Sequence, residues 1–144
     1  MKRVGVIGLG DMGIGLAKNI AAAGFDLVGH DLRAERRDML EALGGTAADD
    51  ARGVGAESDS VFVMVLNGDQ ARDVVAGDDG LLSGMSPGDT VIMAATIHPG
   101  ETREIGATVE DAGVHYIDTP VSGGLSGAEN GTLVMMTAAK QDVL

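Results

Sequence analysis

Val4-Gly5-Val6-Ile7-Gly8-Leu9-Gly10-Asp11-Met12-Gly13 decides how the rest of the chain is read. Val4 to Ile7 is a short apolar run suited to a strand buried on both faces. GxGxxG follows at once, and then an Ala-rich segment, Met12 to Ala23, in which Met12, Leu16 and Ile20 recur four residues apart. That recurrence predicts a helix lying close on a sheet, with Gly24 as its stop. Between a strand and a helix each glycine has its own task. Gly8 permits a tight turn, Gly10 lets the main chain approach a diphosphate, and Gly13 lets helix and strand pack closely. Amides at the helix start then face phosphate, where the helix dipole favours negative charge.

Outward from this loop the chain alternates. Further short apolar runs are Leu27-Val28, Val61 to Leu66, Val91 to Met93 and Val114 to Ile117. Between them, Ala34 to Leu43 predicts a helix with Met39, Leu40 and Leu43 inward. Asp69 to Val75 predicts another, as does Pro99 to Ala112, with Pro99 in its first turn and Gly113 past its end. Strand and helix in alternation make parallel pairing with right-handed crossovers the economical topology, a doubly wound, mostly parallel α/β sheet. The 144 residues, 44% of them hydrophobic, suit one continuous core rather than two ordinary domains. Leu133 to Met136 is a last apolar run, and Ala138 to Leu144 reads as the start of an element. Residues 1–144 are therefore expected to form one domain, truncated near its C-terminal end.

Asp31 lies 18 residues beyond Gly13, at the end of the second predicted strand. A carboxylate there accepts hydrogen bonds from both adenosine ribose hydroxyls and repels a 2′-phosphate, which favours NAD over NADP. Arg33, with Arg36 and Arg37 near it, keeps NADP open, since its guanidinium can hold a 2′-phosphate if Asp31 swings aside. The other reading of these arginines is a solvated helix start. A second glycine loop, Asp118-Thr119-Pro120-Val121-Ser122-Gly123-Gly124, follows the run Val114 to Ile117, at the strand end where such sheets bind ligands. The Ser122 hydroxyl and the amides of Gly123 and Gly124 can hold a carboxylate, although a purely structural tight loop fits the same residues.

Composition narrows the function classes. A formal charge of -12, with ten Lys and Arg in all, argues against a nucleic-acid surface. Without cysteine there is no disulfide framework and no thiolate chemistry, which fits a reducing compartment. Met1-Lys2-Arg3 leads straight into an apolar run broken by Gly8, unlike a signal peptide, and no stretch approaches the roughly 18 to 20 apolar residues of a membrane span. A cytoplasmic location is expected. No His, Asp and Glu spacing suggests a metal site. His30 and His115 read as structural, and His98 as a weak candidate for proton transfer near the cofactor loop.

Taken together, GLGDMG at Gly8 to Gly13 with Asn19 in the following helix, Thr96-Ile97 before Pro99, DTPVSGG at Asp118 to Gly124, and Gly127-Ala128 followed by Gly131-Thr132-Leu133 resemble one family. It is the β-hydroxyacid dehydrogenase family of 3-hydroxyisobutyrate dehydrogenase, tartronate semialdehyde reductase and L-threonate dehydrogenase, with 6-phosphogluconate dehydrogenase more distant. The resemblance runs from Val4 to about Met136 and implies a Rossmann-like domain that binds NAD. It implies hydride transfer between nicotinamide and the carbon bearing the hydroxyl of a small 3-hydroxy acid, and a homo-oligomer for the full-length enzyme. Cofactor contacts are implied at Gly8, Leu9, Gly10, Asp11, Met12, Gly13, Asp31, Leu32, Arg33, Val65, Leu66, Asn67 and Thr96. Ser122, Gly123 and Gly124 are implied to bind the substrate's carboxylate side.

Two local departures stand out: no Pro occurs near Leu66-Asn67, and Ala95 stands where a Ser is common. A larger one concerns the catalytic Lys, which the family carries on a long helix of a following helical domain with an Asn one turn later. Lys140 does not fit that motif and reads as a surface charge, so no catalytic residue is expected among these 144 and the C-terminal helical domain is expected to be absent. The competing expectations are a stand-alone NAD(H)-binding sensor or interaction module, which would show an unpaired apolar patch, and a relic that keeps only the fold.

Overall fold

Residues 3–144 are described by a computed structural model, and the Met1-Lys2 start lies outside them. Six strands run parallel: β1 (Arg3–Ile7), β2 (Asp26–His30), β3 (Thr46–Ala47), β4 (Ser60–Val63), β5 (Thr90–Met93) and β6 (His115–Asp118). With β9 (Ala138–Ala139) antiparallel at the edge, the order is β3-β2-β1-β4-β5-β6-β9. β7 (Val121–Ser122) and β8 (Val134–Met135) form a separate antiparallel ribbon. The helices are α1 (Asp11–Ala22), α2 (Ala34–Ala42), α3 (Ala51–Glu57), α4 (Gly68–Ala76), α5 (Pro99–Asp111) and α6 (Gly124–Asn130), with a 3-10 turn at Leu81–Ser83. Among the described residues no helix is long and apolar enough to cross a membrane.

Both faces of the sheet are covered, and alternation along the strands shows how. Val6 and Leu27 pack with Leu9, Ala17 and Leu40 on one side, whereas their neighbours Ile7 and Val28 join Val54, Val75, Ile105 and Val109 on the other. Successive side chains on a strand point to opposite faces, so a strand sandwiched between helices must be apolar throughout. This is why Val4 to Ile7 carries no polar alternation. Chain order reverses beside β1: β2 and β3 lie on one flank, β4 onward on the other. Open α/β sheets bind ligands at such a reversal, outside the carboxyl ends of the strands. Register levels those ends, with Ile7 opposite both His30 and Val63.

Several expectations shift in detail. The run Val61 to Leu66 leaves the sheet after Val63; Met64 donates a last bond to the Ile7 carbonyl (2.8 Å), and β1 offers nothing beyond because Gly8 turns away. Met39, expected inward, is exposed on α2, where Leu40 alone is fully buried. His115 opens a strand, β6, as expected, but its side chain is exposed. α3 and α6 were not legible as helices. In α3, Gly53 and Gly55 lower the helix propensity, yet a Cβ on Gly55 would stand 2.6 Å from the Leu81 carbonyl oxygen. In α6, the glycines of Gly123 to Gly131 read as a loop, and Gly131 indeed ends the helix in a left-handed conformation.

Candidate functional site

Loop Gly8 to Gly10 leaves β1 and enters α1 under tight backbone constraints. Gly8 has φ +88, and a Cβ there would lie 2.2 Å from the Met64 carbonyl oxygen. A Cβ on Gly13 would overlap the Gly8 carbonyl oxygen at 1.8 Å, so the third glycine serves the helix-to-loop contact. Gly10 differs. It is the N-cap of α1 with φ -62, and its hypothetical Cβ meets nothing closer than Arg33 Nη2 at 3.9 Å. No side chain caps the amides of the first turn of α1. Those are the donors a helix leaves without intrahelical partners, and anions bind there.

Beyond the loop stands Asp31, whose side chain is 10% exposed. One carboxylate oxygen accepts from the Leu9 amide (2.8 Å) and from Arg33 Nη2 (3.4 Å). The other accepts from the Arg33 amide (2.9 Å) and Arg33 Nε (3.1 Å). Burial alone would raise the Asp31 pKa. The hydrogen bonds from the Arg33 side chain, the Arg33 amide and the Leu9 amide, together with the Arg33 charge, outweigh it and hold the group below its ordinary 3.8. Arg37 Nη1 donates to the carbonyls of Asp31 (2.7 Å) and Leu32 (3.1 Å), and Arg36 pairs with Asp11 (3.0 Å).

These groups open on a cleft of about 790 Å³ lined by Gly8, Gly10, His30, Asp31, Leu32 and Arg33 on the β1–β2 side and by Met64, Val65, Leu66, Gln70 and Val74 across it. The volume falls within the roughly 300 to 1,000 Å³ of small-molecule and cofactor clefts. Leu32 and Leu66 stand 91% and 85% exposed at its mouth, apolar surface that a planar ring can cover. Glycine where a Cβ would enter the cleft, uncapped helix amides and a carboxylate beyond them fit a dinucleotide.

A sequence model described as the NAD binding domain of 6-phosphogluconate dehydrogenase matches residues 3–144. The chain belongs to that family.

As a 6-phosphogluconate dehydrogenase-type NAD-binding domain, the chain has well-matched relatives. It is 36% identical to an L-threonate dehydrogenase of Cupriavidus necator over 95% of this chain and 46% of that protein. With an NAD-dependent L-serine dehydrogenase of Pseudomonas aeruginosa it shares 38% identity over 100% of this chain and 48% of the other. A Mycobacterium tuberculosis 3-hydroxyisobutyrate dehydrogenase structure, described with L-serine, superposes with TM-score 0.92 at 30% identity, covering 99% of this chain and 48% of that one. The chain thus spans about half the length of the relatives it matches.

Within this NAD-binding domain, Gly8, Gly10, Asp31, Leu32, Arg33, Val65 and Leu66 come together in the cleft. Leu9 buries its side chain completely and gives its amide to Asp31. Asp11 sits at the exposed start of α1, followed by half-buried Met12. Asn67 is the N-cap of α4, its side chain accepting from the Gln70 amide (2.9 Å). Thr96 is exposed in the loop after β5 and is not among the cleft-lining residues. Ser122, Gly123 and Gly124 form a second station beyond β6, with Ser122 in the ribbon opposite Val134 and Gly123 capping α6. His98 caps α5: its Nδ1 accepts from Gly100 (3.1 Å), and Glu101 accepts from the His98 amide (3.2 Å). Lys140 pairs with Glu110 at 2.9 Å.

Sequence reasoning missed Gln70, Val74 and Asp50 as cleft residues. A signal for Asp50 existed: it is an Asp immediately before a helix, and its side chain caps the Gly53 amide at 2.8 Å. The two glycines of α3 concealed it.

Proposed function

We propose that the chain is the cofactor-binding part of an NAD-dependent dehydrogenase acting on a small β-hydroxyacid. The observation that carries this reading is the pairing of an open glycine cradle at Gly10 with the Asp31 carboxylate at the end of β2. The names of the relatives, L-threonate and L-serine dehydrogenases, supply the substrate class. A nicotinamide cofactor held there would supply the acceptor or donor of the hydride.

Backbone amides from Gly8 to Gly13 hold the diphosphate, with Asp11 and Met12 contributing from the first turn of α1. Asp31 takes the ribose hydroxyls, so NAD is preferred, with Arg33 the cation that permits NADP. Leu32, Val65, Leu66, Asn67 and Thr96 would add the remaining contacts to the cofactor. Ser122 and the amides of Gly123 and Gly124 receive the substrate carboxylate. Leu125, Val134, Met135 and Met136, all exposed beside that loop, support a further protein layer over it in the whole, oligomeric enzyme. Proton transfer falls to the Lys that the resemblance implies outside residues 1–144, so the chain alone binds cofactor without turnover.

Titration calorimetry and thermal melts with NAD, NADH and NADP test this. At NAD near 100 Kd the expected stabilisation is about 2.7 kcal/mol, on the order of 8 °C in Tm, with no oxidation of L-serine or L-threonate. No heat and no shift with any of the three at millimolar concentration would refute it.

A further inference from the structure

Asp31 has a full set of donors before any cofactor arrives. A carboxylate offers about four acceptor positions. Here four donors occupy them: the Leu9 and Arg33 amides, and Arg33 Nε and Nη2. Two of the four are backbone and stay with the loop. The other two belong to one guanidinium on a side chain 51% exposed. A ribose diol brings two hydroxyl donors, so it needs the two positions that the guanidinium holds. Arg33 also overhangs the phosphate loop, its Nη2 being the nearest atom to the Cβ position of Gly10, at 3.9 Å.

We propose that Arg33 is an internal competitor for the ribose site, displaced when a dinucleotide binds and then available to the 2′ position, so that this one side chain weakens NAD and favours NADP. The inference rests on the proposed function and names the residue that sets its cofactor preference. Displacement exchanges a guanidinium pair for a diol pair at the same carboxylate, leaving both backbone bonds to Asp31 in place. The freed guanidinium is anchored two residues from Asp31 and carries the planar fork that binds a phosphate in two places. Arg36 and Arg37 do not substitute for it, because Arg36 is engaged by Asp11 and Arg37 by the carbonyls of Asp31 and Leu32.

The test is calorimetric titration of the wild-type chain, Arg33→Met and Arg33→Lys with NAD and with NADP. Arg33→Met keeps the aliphatic bulk and the backbone bond to Asp31 while removing the fork. The expected result is opposite signs for the two cofactors: the NAD Kd falls about twofold to fivefold, in keeping with loss of a half-exposed ion pair, and the NADP Kd rises by at least tenfold. Arg33→Lys tightens NAD to a smaller degree and retains most NADP binding, since it keeps a charge without the bidentate grip. An NAD Kd unchanged or raised in Arg33→Met overturns the inference while leaving the proposed function standing. Wild-type chain that binds neither cofactor overturns both. Should Arg33→Met fail to fold, Arg33→Lys decides by the sign of its NAD change.

Discussion

A methyl group at Gly10 separates binding from folding, which few substitutions in a glycine loop can do. The residue already sits at φ -62 in an extended conformation, and its Cβ direction is empty to 3.9 Å, where the mobile end of Arg33 begins. Gly10→Ala therefore adds no backbone strain. Alanine is a poorer N-cap than glycine, a cost of roughly 0.5 kcal/mol, whereas loss of glycine's freedom in the unfolded chain returns about 0.4 to 1 kcal/mol. The net change lies within about 1 kcal/mol, or roughly 3 °C in Tm for a domain of this size. Binding should respond very differently. On the proposed function the methyl stands where a diphosphate would approach the main chain, and each charge-assisted amide bond lost costs about 1.5 to 3 kcal/mol. One such bond is tenfold or more in Kd. Gly13→Ala provides the contrast: its Cβ collides with the Gly8 carbonyl at 1.8 Å, so the fold itself should lose about 2 kcal/mol or more. Paired melts and NAD titrations check both variants. If Gly10→Ala bound NAD as tightly as wild type, the cradle would be in the wrong place; if it melted far below wild type, the open space above Gly10 would be wrong.

Two further expectations concern ionisation. Because the folded pKa of Asp31 is depressed, its contribution to stability is present above the ordinary value of 3.8 and is lost as pH falls through the folded value. Asp31→Asn should accordingly lower stability at pH 7 by an amount on the order of 1 to 2 kcal/mol, read as a lower Tm, with the gap to wild type closing below about pH 3.8. A gap that persisted or widened in acid would contradict the assigned hydrogen bonds. Tyr116, the one tyrosine of the sequence, is raised to about 12 by burial against the helix α5, where its hydroxyl meets Thr102 Oγ1 at 2.7 Å. Its phenolate absorbance should stay absent until the pH nears 12, and a midpoint at the ordinary 10 in the folded protein would mean the ring is not packed as described.

What could be read from the sequence depended on whether a residue's surroundings were local. β1, α1, β2 and Asp31 were legible because a buried parallel strand, an Ala-rich helix and a carboxylate at fixed spacing each leave a pattern within their own segment. α3 was illegible because its Gly55 makes room for a neighbour, the turn at Leu81, far along the chain. Leu66 looked like strand because apolar runs do not reveal where the partner strand ends; its 85% exposure marks it as cleft mouth instead. The occupation of Asp31 by Arg33 could not be foreseen from spacing, since a side-chain rotamer decides it. Arg33 could equally have pointed to solvent.

Asn19 joins the two glycine stations. From the middle of α1 its side-chain amide donates to the Ala128 carbonyl at the end of α6 (2.7 Å), to Glu129 (3.4 Å) and to its own helix at Gly15 (2.9 Å). Gly15 lets the two helices meet at a separation no Cβ could share with Ala128. The helix that begins at the phosphate cradle and the helix that begins at Gly124 are thus riveted along one seam. On the proposed function, reacting groups held at those two mouths would keep a spacing dictated by helix-to-helix contact, and a misfit of about 1 Å in such spacing can cost on the order of a hundredfold in rate.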